Sequence, residues 1–99
     1  MMMEILIDQA GRRLQLRRVG VVEQLRLFKA LGPELSVNQP YMHGAFIATA
    51  VAMIDDVPLL LPASEAGVEA ALERIGLDAM PLVAAAMGGV SDTAAEAGN

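Results

Sequence analysis

The segment Pro40–Ile54, PYMHGAFIATAVAMI, carries no formal charge in fifteen residues. It predicts a helix over residues 39–54 that is apolar on every side, and such a helix belongs in the middle of a packed core. The segment is shorter than the roughly 20 apolar residues that cross a bilayer, so we expect no membrane span. Small residues such as Gly44, Ala45 and Ala48 allow neighbouring helices to approach closely. We therefore expect the rest of the chain to cover this central helix.

The flanking segments predict a mainly α, small α+β domain, in which an N-terminal β-hairpin precedes about four helices packed around the central apolar helix. Alternating apolar and polar residues indicate the hairpin, and amphipathic spacing between caps and Gly/Pro stops indicates the helices. Gly32-Pro33 is expected to end the first helix, and residues 34–38 are expected to form a short connector. Ser36 or Asn38 is expected to cap the central helix. Ser64 is expected to cap the third helix and Gly76 to end it. The predicted elements are a hairpin over 4–19 and helices over 21–31, 39–54, 65–75 and 79–87. Residues 1–89 are expected to form a single globular domain, and the polar residues 90–99 a flexible tail.

The first helix is expected to turn one apolar side towards the core. Val21, Val22, Leu25 and Phe28 share that side, and Leu31 is a further candidate. In the central helix, His43 is the sole histidine and has no second ligand nearby in sequence, so it is expected to be packed or hydrogen-bonded in the core.

The charges are divided unevenly along the chain. The net charge of −5 combines +3 over residues 1–29 with −8 over residues 30–99. This division predicts two surfaces of opposite sign and a homo-oligomer formed by head-to-tail contact, for which Arg13 and Arg17 are the candidate residues. The hairpin arginines are expected to form a solvated outer face, with a binding patch as the alternative. We expect no nucleic-acid partner, because the acidic remainder would repel phosphates.

No residue pattern in the chain indicates catalysis. The chain has no cysteine, which excludes disulfides, thiolate metal sites and thiol nucleophiles and favours an intracellular protein. No serine has a partner base nearby in sequence, and no glycine-rich phosphate loop is present. We therefore expect a protein that is not an enzyme and that uses no metal and no cofactor.

The apolar content predicts an exposed contact surface. Hydrophobic residues make up 55% of the chain but only three residues are aromatic. A small helical domain of this composition is expected to leave an apolar patch that holds a partner or a second copy. Core positions are the alternative for each candidate contact residue. The candidates are Leu25, Phe28, Tyr41, Met42 and Phe46.

The order and spacing of the segments resembles the tail-assembly chaperones of long-tailed bacteriophages and prophages. The resemblance covers about residues 4–87 and rests on EILIDQAGRRLQLRRV, VVEQLRLFKALGPELSVNQ, AFIATAVAMIDDVPLLLP and SEAGVEAALERIG. Family members commonly have Leu-Arg-Leu-Phe before a glycine, as at residues 25–28. They also commonly have Ile-Asp-Gly-Val-Pro at the turn, where this chain has Asp56 in place of the glycine. That difference argues against a tight, glycine-dependent turn.

The resemblance implies a non-enzymatic protein that coats the helical tape-measure protein in the cytoplasm of the bacterial host until tail-tube subunits displace it. It also implies a possible longer product made by ribosomal frameshifting. Two other functions remain open at this point. One is a small phage-encoded regulator or inhibitor that binds a host protein, and the other is a DNA-binding helical domain that uses the hairpin arginines.

Overall fold

The structure, a computed structural model, describes residues 4–87, which form four helices and a four-stranded antiparallel sheet of order β1-β2-β3-β4. In chain order the elements are β1 (Ile5–Ile7), β2 (Arg13–Leu16), α1 (Val21–Ser36), α2 (Gln39–Ala50), β3 (Val51–Ile54), β4 (Val57–Pro58), α3 (Glu65–Ile75) and α4 (residues 80–87). The predicted small α+β fold is confirmed at this level, and the N-terminal hairpin forms half of the sheet. The predicted tail over 90–99 lies outside the described residues.

The central segment is divided between a helix and a strand, so the prediction of one helix over 39–54 is wrong in its last turn. Helix α2 ends at Ala50, and Val51 is already extended, with φ −89° and ψ 115°. Strand β3 lies between β2 and β4 and therefore has backbone partners on both sides. The Arg17 N–H donates to the Ala50 carbonyl over 2.7 Å, which ties the junction to the first hairpin.

A two-residue turn joins β3 to β4. Asp55 and Asp56 both have positive φ, 50° and 68°, as a type I′ hairpin turn requires. The turn does not depend on glycine and is nevertheless tight, because aspartate tolerates the left-handed region through local hydrogen bonds. The Asp55 carboxylate also accepts from the Arg13 N–H over 2.8 Å, so the turn is fastened to β2.

Helix α1 contains a break at the predicted Gly32-Pro33 stop. Gly32 has φ 86° and ψ 172°, which separates a first helical piece from a short second one. The predicted end at residue 31 is right for the first piece. The following residues, expected to be a connector, are instead helical as far as Ser36, whose hydroxyl donates to the Gly32 carbonyl over 2.7 Å.

The predicted caps of the later helices are present. The Asn38 side chain accepts from the Tyr41 N–H at the start of α2, and the Ser64 hydroxyl accepts from the Gly67 N–H at the start of α3. Gly76 ends α3 with φ 86°. These contacts fix where α2 and α3 begin and where α3 ends.

The core lies between the sheet and the helices. Leu14 and Ile54 are opposite each other on β2 and β3, and both are buried. Helix α2 is buried along most of its length, including Ala48, but its side at Gln39 and His43 is exposed. The expectation that His43 is packed in the core is therefore wrong.

Candidate functional site

Helix α1 presents an apolar stripe to solvent near its N-terminus. Val21, Val22 and Leu25 are 72%, 54% and 60% exposed. Residues three and four positions apart are neighbours on a helix, so these three side chains form one continuous surface. We call this surface the α1 stripe.

The α1 stripe corrects the expected orientation of the helix, because Val21, Val22 and Leu25 were predicted to face the core. The buried side of α1 is formed by Leu27 and Leu31, which are one helical turn apart. The helix therefore has two apolar sides, and only one of them reaches the core. The sequence contains both apolar sides, and the prediction took the side with more apolar residues as the one that faces the core. The presence of a second apolar side is the signal that could have indicated an exposed stripe.

Cationic side chains flank the α1 stripe. Arg26 lies one turn after Val22, and Lys29 lies one turn after Leu25, and both are exposed. Their ammonium and guanidinium groups add positive charge beside an apolar surface. This arrangement suits a partner segment that carries an apolar side with acidic residues next to it.

The five candidate contact residues do not form one surface. Phe28 and Phe46 meet edge to face, with ring centroids 6.0 Å apart and an interplanar angle of 85°, and both are half-buried where α1 contacts α2. Met42 is buried in the core, which is the alternative that the sequence left open. Leu25 is the one exposed member of the five. The two aromatic rings pack α1 against α2. The α1 stripe extends from Leu25 towards Val21.

Tyr41 lies on the other side of α2, facing α3. Its hydroxyl donates to a Glu69 carboxylate oxygen over 3.2 Å and lies 3.5 Å from the Glu65 carbonyl. Partial burial, together with the negative charge of Glu69 and Glu65, raises the pKa of Tyr41. Tyr41 therefore joins two helices rather than contributing to the surface around Leu25.

The two candidate self-association residues have different environments. The Arg13 side chain is exposed, as the prediction requires. Arg17 is half-buried, and its guanidinium donates to the Val51 carbonyl over 3.1 Å and to the Leu59 carbonyl over 2.6 Å. Burial lowers the pKa of Arg17. Of these two residues, only Arg13 is therefore placed to meet another molecule.

A second arginine of the hairpin is also used inside the chain, so the expectation of a wholly solvated arginine face is wrong. The Arg12 guanidinium donates to the Arg74 carbonyl over 2.8 Å and to the Ile75 carbonyl, both at the C-terminus of α3. Its Nε also donates to Asp8 over 2.7 Å. A cation at this end of a helix is favoured by the helix dipole. We call this arrangement the Arg12 clamp.

The Arg12 clamp borders a cleft of about 200 Å³ between the first turn and the end of α3. The cleft is lined by Asp8, Gln9, Ala10, Arg12, Ile75, Gly76, Leu77 and Asp78. The Asp8 carboxylate is fully engaged there, because it also accepts from the Ala10 and Arg12 N–H groups over 3.0 and 2.8 Å. The Asp8 carboxylate and the Arg12 guanidinium of this cleft are therefore engaged in contacts within the fold.

The pKa of Asp8 predicts a dependence of stability on pH. Burial acts to raise this pKa, but the hydrogen bonds and charge of Arg12 outweigh it, so the pKa lies below its usual value. A lowered pKa in the folded state stabilises the fold above the unfolded-state pKa of about 4, and this stabilisation is lost as the pH falls through the folded value. Asp8→Asn keeps the turn acceptor and removes the charge, so it should lower the melting temperature at pH 7.

The measurement is a series of thermal melts of the parent and Asp8→Asn proteins between pH 7 and pH 2.5. The difference between their melting temperatures should be largest at neutral pH and should shrink below about pH 4, where the unfolded carboxyl protonates. A difference that stays constant over this range would show that the Asp8 charge contributes nothing to folding.

The described part of the chain shows no arrangement for metal binding. Among residues 4–87, no group of three or more His, Asp or Glu side chains is placed to hold a metal ion. Over the same residues, no helix is long and apolar enough to span a membrane. The α1 stripe with its cationic flank is therefore the feature that we take as the candidate site.

Comparisons with protein-family models, with curated proteins and with solved structures find no match to this chain.

Proposed function

We propose that this chain is a tail-assembly chaperone of a long-tailed phage or prophage, a non-enzymatic protein that binds the helical tape-measure protein in the cytoplasm of the bacterial host. The observation that carries the proposal is the α1 stripe, in which Val21, Val22 and Leu25 are exposed together. A long amphipathic helix aggregates through its apolar side when it is left bare. An exposed apolar stripe on the chaperone covers one stretch of that side, as in other helix-to-surface contacts.

The positive charge of the site determines which tape-measure segments it prefers. Arg26 and Lys29 lie beside the stripe, so a tape-measure segment with acidic residues next to its apolar side is preferred. Three side chains supply only a small contact area, so each contact is weak. Several copies bound along one tape measure hold it collectively, because each bound copy raises the effective concentration of the next contact. The same binding mode suits a frameshifted longer product that shares these residues.

The test is co-expression with the tape-measure protein of the same phage or prophage. The parent chain is expected to keep that protein in the soluble fraction as a complex. Changing Val22→Ser together with Leu25→Ser should lose most of the recovered tape measure, because the stripe is interrupted while the buried side of α1 is unchanged. Light scattering after size exclusion then measures the complex.

The matched control is Leu60→Ser together with Leu77→Ser, which removes at least as much exposed apolar surface from two residues outside α1. This variant should recover as much tape measure as the parent. Equal recovery by both variants would place the contact elsewhere. If the parent chain leaves the tape measure insoluble, the proposal is wrong. Regulation or inhibition of a host protein then becomes the leading function.

A further inference from the structure

Strand β1 lies at one edge of the sheet that the described residues form. It pairs with β2 on one side, and no described residue pairs with its other side. Towards β2, the Glu4 carbonyl accepts from the Leu16 N–H over 2.7 Å, and the Asp8 N–H donates to Arg12 over 3.1 Å. Antiparallel pairing alternates along a strand, so the backbone groups of the residues between them point outward. The residues with outward N–H and C=O groups are Ile5 and Ile7.

The outward residues also have exposed apolar side chains. Ile5 and Ile7 are 50% and 58% exposed, whereas the intervening Leu6 packs against the core. Strand β1 is short, with three residues, but it contains no proline, charge or bulge, which are among the other features that protect an edge. The opposite edge, β4, has only two residues, and one is Pro58, which has no N–H to donate. The two edges of this sheet therefore differ in their capacity to pair.

We propose that β1 is a self-association edge that pairs antiparallel with β1 of a second copy of this chain, about a twofold axis at Leu6. In this register Ile5 lies opposite the partner's Ile7, and Ile7 lies opposite the partner's Ile5. The outward backbone groups of both strands are then paired, and four isoleucines cluster on the outer face of one eight-stranded sheet. On the core side, Leu6 meets the partner's Leu6 and extends the buried row that includes Leu14.

The occupant is a second copy because the strand is complementary to itself under twofold rotation. The same two residues supply both the outward hydrogen-bonding groups and the apolar contacts, so one symmetry operation satisfies all of them. Glu4 falls opposite the partner's Asp8, whose charge is already balanced by Arg12.

The proposed interface is small. A pair of three-residue strands and four isoleucines covers less than the roughly 1,200 Å² typical of stable interfaces. The dimer is therefore reversible and depends on concentration.

Sedimentation velocity over a concentration series tests this edge without any tape-measure protein, so its outcome is independent of the proposed function. The parent chain should shift from monomer to dimer between about 10 μM and about 1 mM. Ile5→Lys should weaken dimerisation at least tenfold, since it places a charge in the isoleucine cluster. The matched control is Val57→Lys, which changes a residue that is 51% exposed on the opposite edge and should dimerise like the parent.

A cysteine cross-link tests the register directly, because the chain contains no cysteine. Opposed residues in a non-hydrogen-bonded antiparallel pair have Cα atoms about 4.5 Å apart, within the range for a disulfide. Leu6→Cys should therefore give a disulfide-linked dimer on mild oxidation, and Val57→Cys should give little. A parent chain that stays monomeric, a dimer that Ile5→Lys leaves intact, or equal cross-linking by both cysteines would each overturn the proposal.

Discussion

Replacing Ala48 with Asp is expected to abolish the folded state. Ala48 is fully buried in α2, in the part of the helix that packs among the other elements. A carboxylate there has no cationic partner, and leaving one uncompensated charge inside a protein costs about 3–5 kcal/mol or more. That is a large part of the whole stability of a domain of this size, which is about 5–15 kcal/mol. Circular dichroism during thermal unfolding measures the effect.

The control is Ala30→Asp, the same substitution at an exposed position of α1. It should change the melting temperature by only a few degrees, because its carboxylate stays in water. If Ala48→Asp has the same melting temperature as Ala30→Asp, then Ala48 is not buried in the core.

Replacing Arg17 with Met should produce the second large effect. The Arg17 guanidinium donates to the Val51 and Leu59 carbonyls, on β3 and just after β4. Methionine retains much of the aliphatic stem but removes both donors. A hydrogen bond to a charged group contributes about 1.5–3 kcal/mol, so we expect a loss of about 2–4 kcal/mol in the free energy of unfolding. The loss is limited because the buried Nε atom has no partner among the described residues and is removed as well.

Urea unfolding of Arg17→Met and Arg18→Met compares the two arginines. Arg18 is the next residue and is exposed, so its replacement removes a cation of the same segment without removing an internal contact. Arg18→Met should unfold at nearly the parent urea concentration. Coincident midpoints for the two variants would show that the Arg17 contacts do not stabilise the sheet.

Features that act within one turn of chain could be predicted from the sequence. The Asn38 and Ser64 caps and the breaks at Gly32 and Gly76 depend on a few neighbouring residues, and the structure confirms all four. The β1–β2 hairpin is local in the same sense, because its register follows from the turn at residues 8–11.

Features that depend on residues far away in the chain could not be predicted from the sequence. The segment Val51–Ile54 can be helix or strand by composition, and it is a strand because β2 lies beside it, more than 30 residues earlier in the chain. The Arg17 donors likewise find carbonyls 34 and 42 residues away. The orientation of α1 depends on how it meets α2, so the sequence places Leu25 both in the core-facing row and on the contact surface. Its exposure shows that it does not face the core.

The Arg12 clamp has a consequence for synthesis on the ribosome. Arg12 leaves the ribosome early, but the carbonyls that it caps belong to residues 62 and 63 positions later. Strand β2 likewise waits for β3 before its inner side is covered. During translation the inner side of β2 therefore stays uncovered until β3 has been made, and the Arg12 contacts form only after Ile75 has been made. A pause in translation before residue 75 would prolong the time in which Leu14 and Leu16 are bare, and would favour contact between neighbouring nascent chains.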